Sequence, residues 1–225
     1  MLQPVADNLW VIHYPLTLLG ADLKRAVTII RLRSGELVIH STGPFTPQDA
    51  HDIQALGRPG WLLDTMLRHE TFAKQGRETF PDIPYLAPAG FTEKSGILTQ
   101  PLVPAPAVWG DEIEVLLLEG VPSMEEHVVF HRPSRTLIVA DLFFNFGPQA
   151  PLLTRLLMLL AVGAKHDPGM ARSIRLTAKD KKALKGSLAT MMAWDFDRII
   201  VGHGDTVERD GKRQVAEVMR QAGYL

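Results

Sequence analysis

Two blocks of short β-branched and aromatic runs, each arranged as a meander, constrain what this chain can fold into more than any other feature. In the first block residues 9–14 (LWVIHY), 26–32 (AVTIIRL) and 36–40 (ELVIH) have strand composition, and Ser34-Gly35 supplies a tight hairpin turn between the last two. In the second, residues 112–118 (EIEVLLL), 127–131 (HVVFH) and 136–140 (TLIVA) repeat the style, with Arg132-Pro133-Ser134 as the turn. Runs joined this closely pair antiparallel, so the sequence predicts two sheets.

Helical sequence follows each block. Thr46 is placed as an N-cap and Pro47 at the first helical position of TPQDAHDIQAL, which stops at Gly57. Residues 61–66 read as a buried strand, 72–79 as a helix and 85–87 as a further strand, a rhythm that implies crossover connections onto a sheet. Later, residues 151–164 and 178–194 read as helices, 198–201 (RIIV) as a last buried strand, and 214–221 as a closing helix. No repeat of 20–50 residues is present, which removes solenoids and propellers. The economical packing is two sheets with outer helices, in one domain spanning residues 1–225.

Composition narrows the function classes. Hydrophobic residues make up 46% and charged residues 22% of the chain, as in ordinary globular proteins. Lys plus Arg (24) nearly cancels Asp plus Glu (25), leaving no broad positive field for phosphate backbones, so nucleic acid is not an expected partner. With no cysteine there are no disulfides, thiolate metal sites or cysteine nucleophile, and any metal must be held by His and carboxylates. The beginning MLQPVADNLW lacks the pattern of a secretory signal, and the expected location is cytoplasmic. The segment PLLTRLLMLLAVGA, from Pro151 to Ala164, contains Arg155 and is shorter than the about 20 residues that cross a bilayer. It reads first as a core or cleft-covering helix, and alternatively as a homo-oligomer interface or a shallow membrane-surface contact. The lysines of AKDKKALKG read as a solvated helix face.

Of the eight histidines, His13, His40, His51 and His166 are assigned structural or solvated roles. His203 differs: it stands between two glycines directly after a buried strand, where open α/β sheets present ligands. Asp141 repeats the placement, closing the apolar run TLIVA, as a metal ligand or as a cap for the next turn.

In order, EHVVFHRPSRTLIVAD, a long helical insertion and RIIVGHGD resemble the second half of metallo-β-lactamase-fold hydrolases, and LWVIHY, AVTIIRL and ELVIHSTG resemble the first, with Ser41 where an Asp often stands. The resemblance implies an α/β fold, a four-layer αββα sandwich, in which the strand-end Asp bridges two metals and the His after the last strand completes the second site. The superfamily signature HxHxDH is replaced here by DTMLRHETFAK, where only His69, Glu70 and the more distant Asp64 offer metal-binding atoms. Where a GHT-like turn normally supplies a third ligand, GVPSMEEHVVF places Ser123, with Glu125, Glu126 and His127 nearby. The chain is similar to a bacterial family of unknown function within this superfamily that has a degenerate signature.

Zinc hydrolases need about three protein ligands per metal and an open position. His69, Asp141 and His203, with His127 or Glu126 as a supplement, suffice for one divalent ion (Zn, Fe or Mn) and not for a dinuclear centre. There is no GxSxG elbow and no phosphate-binding glycine loop. The expected function is therefore a mononuclear metal-dependent hydrolase of an ester, amide or phosphoester, with Asp141, His203 and His69 in the catalytic site. The alternative is a metal-free member acting as a small-molecule-binding or assembly module. A third class, metal-independent acid–base chemistry by His69 with Glu70 or His203 with Asp205, ranks last because adjacent side chains seldom face each other.

Overall fold

The computed structural model describes residues 1–162 and 168–225; His166 and the end of the segment 151–164 lie outside them. In the first half β1 (Gln3–Ala6) and β2 (Leu9–Tyr14) precede a small ribbon, β3 (Thr17–Leu18) with β4 (Ala21–Asp22), and then β5 (Arg25–Arg31) and β6 (Glu36–His40). Helix α1 (Pro47–Leu56), β7 (Arg58–Leu63), α2 (Ala73–Thr79), β8 (Tyr85–Ala87), α3 (Phe91–Ser95) and β9 (Gln100–Pro101) follow. The second half contains β10 (Ile113–Leu117), β11 (His127–His131), β12 (Thr136–Val139) and β13 (Phe143–Phe144), then α4 (Leu152–Val162) and β14 (Gly169–Met170). It closes with α5 (Arg172–Thr177), α6 (Lys181–Ala193), β15 (Arg198–Val201) and α7 (Gly211–Gln221).

One sheet has the order β1-β2-β5-β6-β7-β8-β9 and the other β10-β11-β12-β15. Strands joined by short turns pair antiparallel; β6-β7-β8-β9 and β12-β15 are parallel, as strands linked through helices must be. Alternation along the strands sets three apolar layers. Leu9, Val11, Ile30, Val38 and Leu63 of the first sheet meet Val129, Ile138 and Ile200 of the second. On the first sheet's other face Ile12, Ile29 and Ile39 pack with Ile53 of α1, Ala73 of α2 and Phe91 of α3. On the second sheet's outer face Val128, Leu137 and Ile199 pack with Ile174, Leu184 and Val215 of α5, α6 and α7. The result is the two sheets with outer helices that the strand blocks predict, in the αββα order that the resemblance implies.

Local signals act as expected at α1, where Thr46 and Asp49 form a reciprocal capping box ahead of Pro47. Two elements differ. The strand expected over 61–66 ends at Leu63, so Asp64, Thr65 and Met66 leave the sheet. The helix expected over 178–194 is α6 alone, started by the Asp180 carboxylate, which accepts from the N–H groups of Lys182 and Ala183. It is separated from α5 where the Gly120 carbonyl accepts from both Lys179 and Asp180.

Candidate metal centre

Parallel pairing of β12 with β15 sets Val139 opposite Val201, so the residues after both strands emerge at one rim. Gly202 fastens that rim: its N–H donates to Ala140 O (3.1 Å) and its carbonyl accepts from the Ala26 N–H of the other sheet (3.0 Å). A Cβ here would lie 2.5 Å from Ala140 O and 3.1 Å from His69 Cε1, so glycine is required by close approach.

Asp141 is held through its backbone. One oxygen of the buried Glu126 carboxyl accepts from Ala140, Asp141 and Leu142 N–H at 2.9, 3.1 and 3.0 Å. Burial first, and the Asp141 charge second, push Glu126 up to about 8, while the three backbone donors pull the other way. The Glu126 side chain thus serves as a clamp on the Asp141 turn.

His69, Asp141 and His203 converge, each offering a ligand atom within 4.8 Å of the others. Both imidazole Nε2 atoms lie 3.3 Å from Asp141 Oδ1, and the rings meet edge to face with centroids 5.3 Å apart. Burial alone would raise Asp141, but the two imidazoles outweigh it and hold the carboxylate far below its usual range. Burial, then the nearby Arg25 guanidinium, push His69 down to about 3. His203 is oriented by stacking on Phe144 and by Nδ1, which donates to Lys24 O at 2.7 Å. That bond fixes the tautomer, so in the neutral ring Nε2 carries a lone pair directed at an ionised oxygen. Nε2 therefore meets Oδ1 with a cation between them, either a proton or a metal ion. The donor set of two imidazoles and one carboxylate suits a borderline divalent ion with one position left open. Asp141 is the least buried of the three and marks the open side.

The remaining sequence candidates point elsewhere. Asp64 is fully buried, paired with Arg25 (3.2 Å) and accepting from the hydroxyls of Thr42 (3.1 Å) and Tyr85. Arg25 also donates to Thr42 O and to His69 O, which makes it the hub of the turn where HxHxDH was expected. Glu70 pairs with Lys94 (3.2 Å) and Asp205 with Lys24 (2.6 Å), so neither carboxylate serves its neighbouring imidazole. His127, the fourth expected ligand, is not in the converging group: its Nδ1 donates to Glu125 O at 3.2 Å. Ser123 is exposed. His40 is buried with Nε2 3.0 Å from Thr65 Oγ1, and burial pushes it down to about 3. Arg25, Lys24 and Phe144 were not singled out from the sequence; the signal for Arg25 is a charge opening a strand that is buried up to Ile30.

No protein-family model matches the sequence, and comparison with curated proteins finds no relative. Solved structures do match. A metallo-β-lactamase from Erythrobacter litoralis superposes with a TM-score of 0.68 at 12% identity over 100% of this chain and 96% of that one. One from Pontibacter korlensis gives 0.65 at 12% identity, over 98% of each chain. The metallo-β-lactamase FIM-1 from Pseudomonas aeruginosa, in its mono-zinc form, gives 0.63 at 14% identity, over 99% of this chain and 95% of that one. At such identities the likeness speaks for architecture, and with the two-sheet layout it establishes that this chain has the metallo-β-lactamase fold.

Proposed function

We propose that the chain is a mononuclear metal-dependent hydrolase whose ion is held by His69, Asp141 and His203. The observation that carries this reading is the His203 ring: Nδ1 is committed to Lys24 O, and Nε2 confronts an ionised carboxylate oxygen that also faces His69. A divalent ion there supplies Lewis acidity for activating water and polarising an ester, amide or phosphoester. The chain's own contribution is orientation. The Lys24 carbonyl and Phe144 set the His203 ring, Glu126 sets the Asp141 turn, and Arg25 sets His69 through its carbonyl. The Zn, Mn and Fe content of protein purified without chelator, followed by turnover of generic ester and phosphodiester substrates, tests the reading. One ion per chain and activity lost in Asp141→Ala and His203→Ala are expected. Absence of all three metals together with metal-independent behaviour overturns it.

A second reading, a metal-free module that binds a small molecule or assembles with a partner, is favoured by the Arg25–Asp64 network, which braces the signature turn with no ion. Metal-dependent turnover that vanishes in the same variants excludes it.

A further inference from the structure

The outer face of α4 is apolar where a surface helix is ordinarily polar. Its inner face carries Thr154 and Met158, which are buried; Met158 packs with Ala21, Leu23 and Phe146. Its outer face carries Leu152, Leu153, Leu156, Leu159 and Leu160, all exposed and spaced so that they share one side. The β3–β4 ribbon extends this surface: a Cβ at Gly20 would lie 3.4 Å from Leu153 Cδ2, and Leu18 and Leu19 at the tip are 55% and 78% exposed.

The same surface continues into positive charge. Arg172 of α5 donates to Leu160 O of α4 (3.2 Å) and, with Arg175, Lys181, Lys182 and Lys185, lines a concavity of about 710 Å³ beside the exposed Leu176. Helices α4, α5 and α6 contain no Asp or Glu and six Lys or Arg, in a chain of formal net charge −1. Among the described residues none of those six cations is in a salt bridge with a carboxylate.

A second copy seated on this face through a two-fold axis would set like charges together, which opposes self-association there. An apolar strip bordered by unneutralised cations instead matches a surface that is apolar within and anionic at its rim. We propose that α4, the ribbon tip and the α5–α6 face dock the protein peripherally on an anionic lipid bilayer, leucines at the acyl boundary and cations among the headgroups. No described helix is long and apolar enough to cross a membrane, in keeping with attachment at the surface.

Co-sedimentation with phosphatidylcholine vesicles, with and without phosphatidylglycerol, tests the docking. Binding is expected only with the anionic lipid and should weaken as NaCl is raised. Each cation near such a surface contributes a factor of about five, so Lys181→Ala/Lys182→Ala/Lys185→Ala should weaken binding about a hundredfold. Leu156→Gln/Leu160→Gln should weaken it at least about tenfold. Both sets of side chains are exposed, so unchanged melting and unchanged metal content separate this test from folding and from the metal centre. Wild-type protein that stays in the supernatant, vesicle binding indifferent to both variants, or a solution dimer that Leu156→Gln/Leu160→Gln dissociates overturns the proposal.

Discussion

Replacing Asp141 by Asn separates the metal centre's two demands, because it changes one atom's hydrogen-bonding sign and leaves the shape. In the wild-type protein Oδ1 stands 3.3 Å from two imidazole nitrogens, and the His203 nitrogen is an acceptor once Nδ1 has donated to Lys24 O. An ion at about a hundred times its dissociation constant stabilises the native state by about 2.7 kcal/mol. For a chain of this size each kcal/mol moves Tm by about 2–4 °C, so metal should raise wild-type Tm by about 5–11 °C. In Asp141→Asn the ligand charge is gone, and with it the hold on a cation between that oxygen and the two imidazoles. With metal the variant's melting temperature should therefore not move. Differential scanning calorimetry of both proteins with chelator, Zn, Mn and Fe in parallel arms gives these values. A wild type indifferent to every metal, or a variant with the same metal shift, refutes the ligand assignment.

Other perturbations follow from the same geometry. Glu126 is raised from 4.5 to about 8, so the native state holds a proton that the unfolded chain releases between those values; the resulting stability is full below the lower value and lost as pH rises through the upper one. His40 and His69 are lowered to about 3, so their contribution is complete above the ordinary histidine range, and Asp64 is raised only to about 6, so chemical denaturation from about pH 7 to 8.5 reads Glu126. The wild type should lose stability across that window and Glu126→Gln should be flat; parallel curves would remove Glu126 as the buried proton carrier. Gly202→Ala forces a Cβ to 2.5 Å from Ala140 O and should lower stability by about 1–3 kcal/mol, with a reduced metal shift through His69, measured by urea unfolding and metal titration. Arg25→Met leaves the buried Asp64 without its cation and should cost about 3–5 kcal/mol in urea unfolding, whereas Arg25→Met/Asp64→Leu should recover most of it; equal losses in both would point to packing alone.

The fold was legible because its signals are local. Leu9–Tyr14, Glu36–His40 and His127–His131 form as strands where the alternating and β-branched runs place them, and Thr46 with Pro47 starts α1. The rim was legible for the same reason, since Asp141 and His203 each follow an apolar run directly. What stayed hidden is whatever depends on contacts between distant segments. Helix α5 is set by Ile174 packing into the layer over the second sheet, and its sequence RSIRLT has no local start signal. Arg25 looks like an ordinary strand residue until β5 delivers it beneath Asp64 and His69, segments 39 and 44 positions away.

That distance explains how the rim can keep its shape with the signature gone. To hold its shape, this turn needs, in physical terms, that its buried polar groups be satisfied. Here Arg25 answers Thr42 O, Asp64 and His69 O together, and Thr42 and Tyr85 complete Asp64. With the turn secured by that network, His69 faces Asp141 and His203, and the three ligand atoms lie within 4.8 Å of one another at the edge where the two sheets meet. Arg25 holds the His69 carbonyl directly, so Arg25→Met should reduce the metal shift as well as lower stability, whereas Tyr85→Phe, which removes one donor to Asp64, should lower stability and leave the metal shift intact. Melting curves with and without Zn on those two variants distinguish a brace that positions His69 from one that merely fills the space below it.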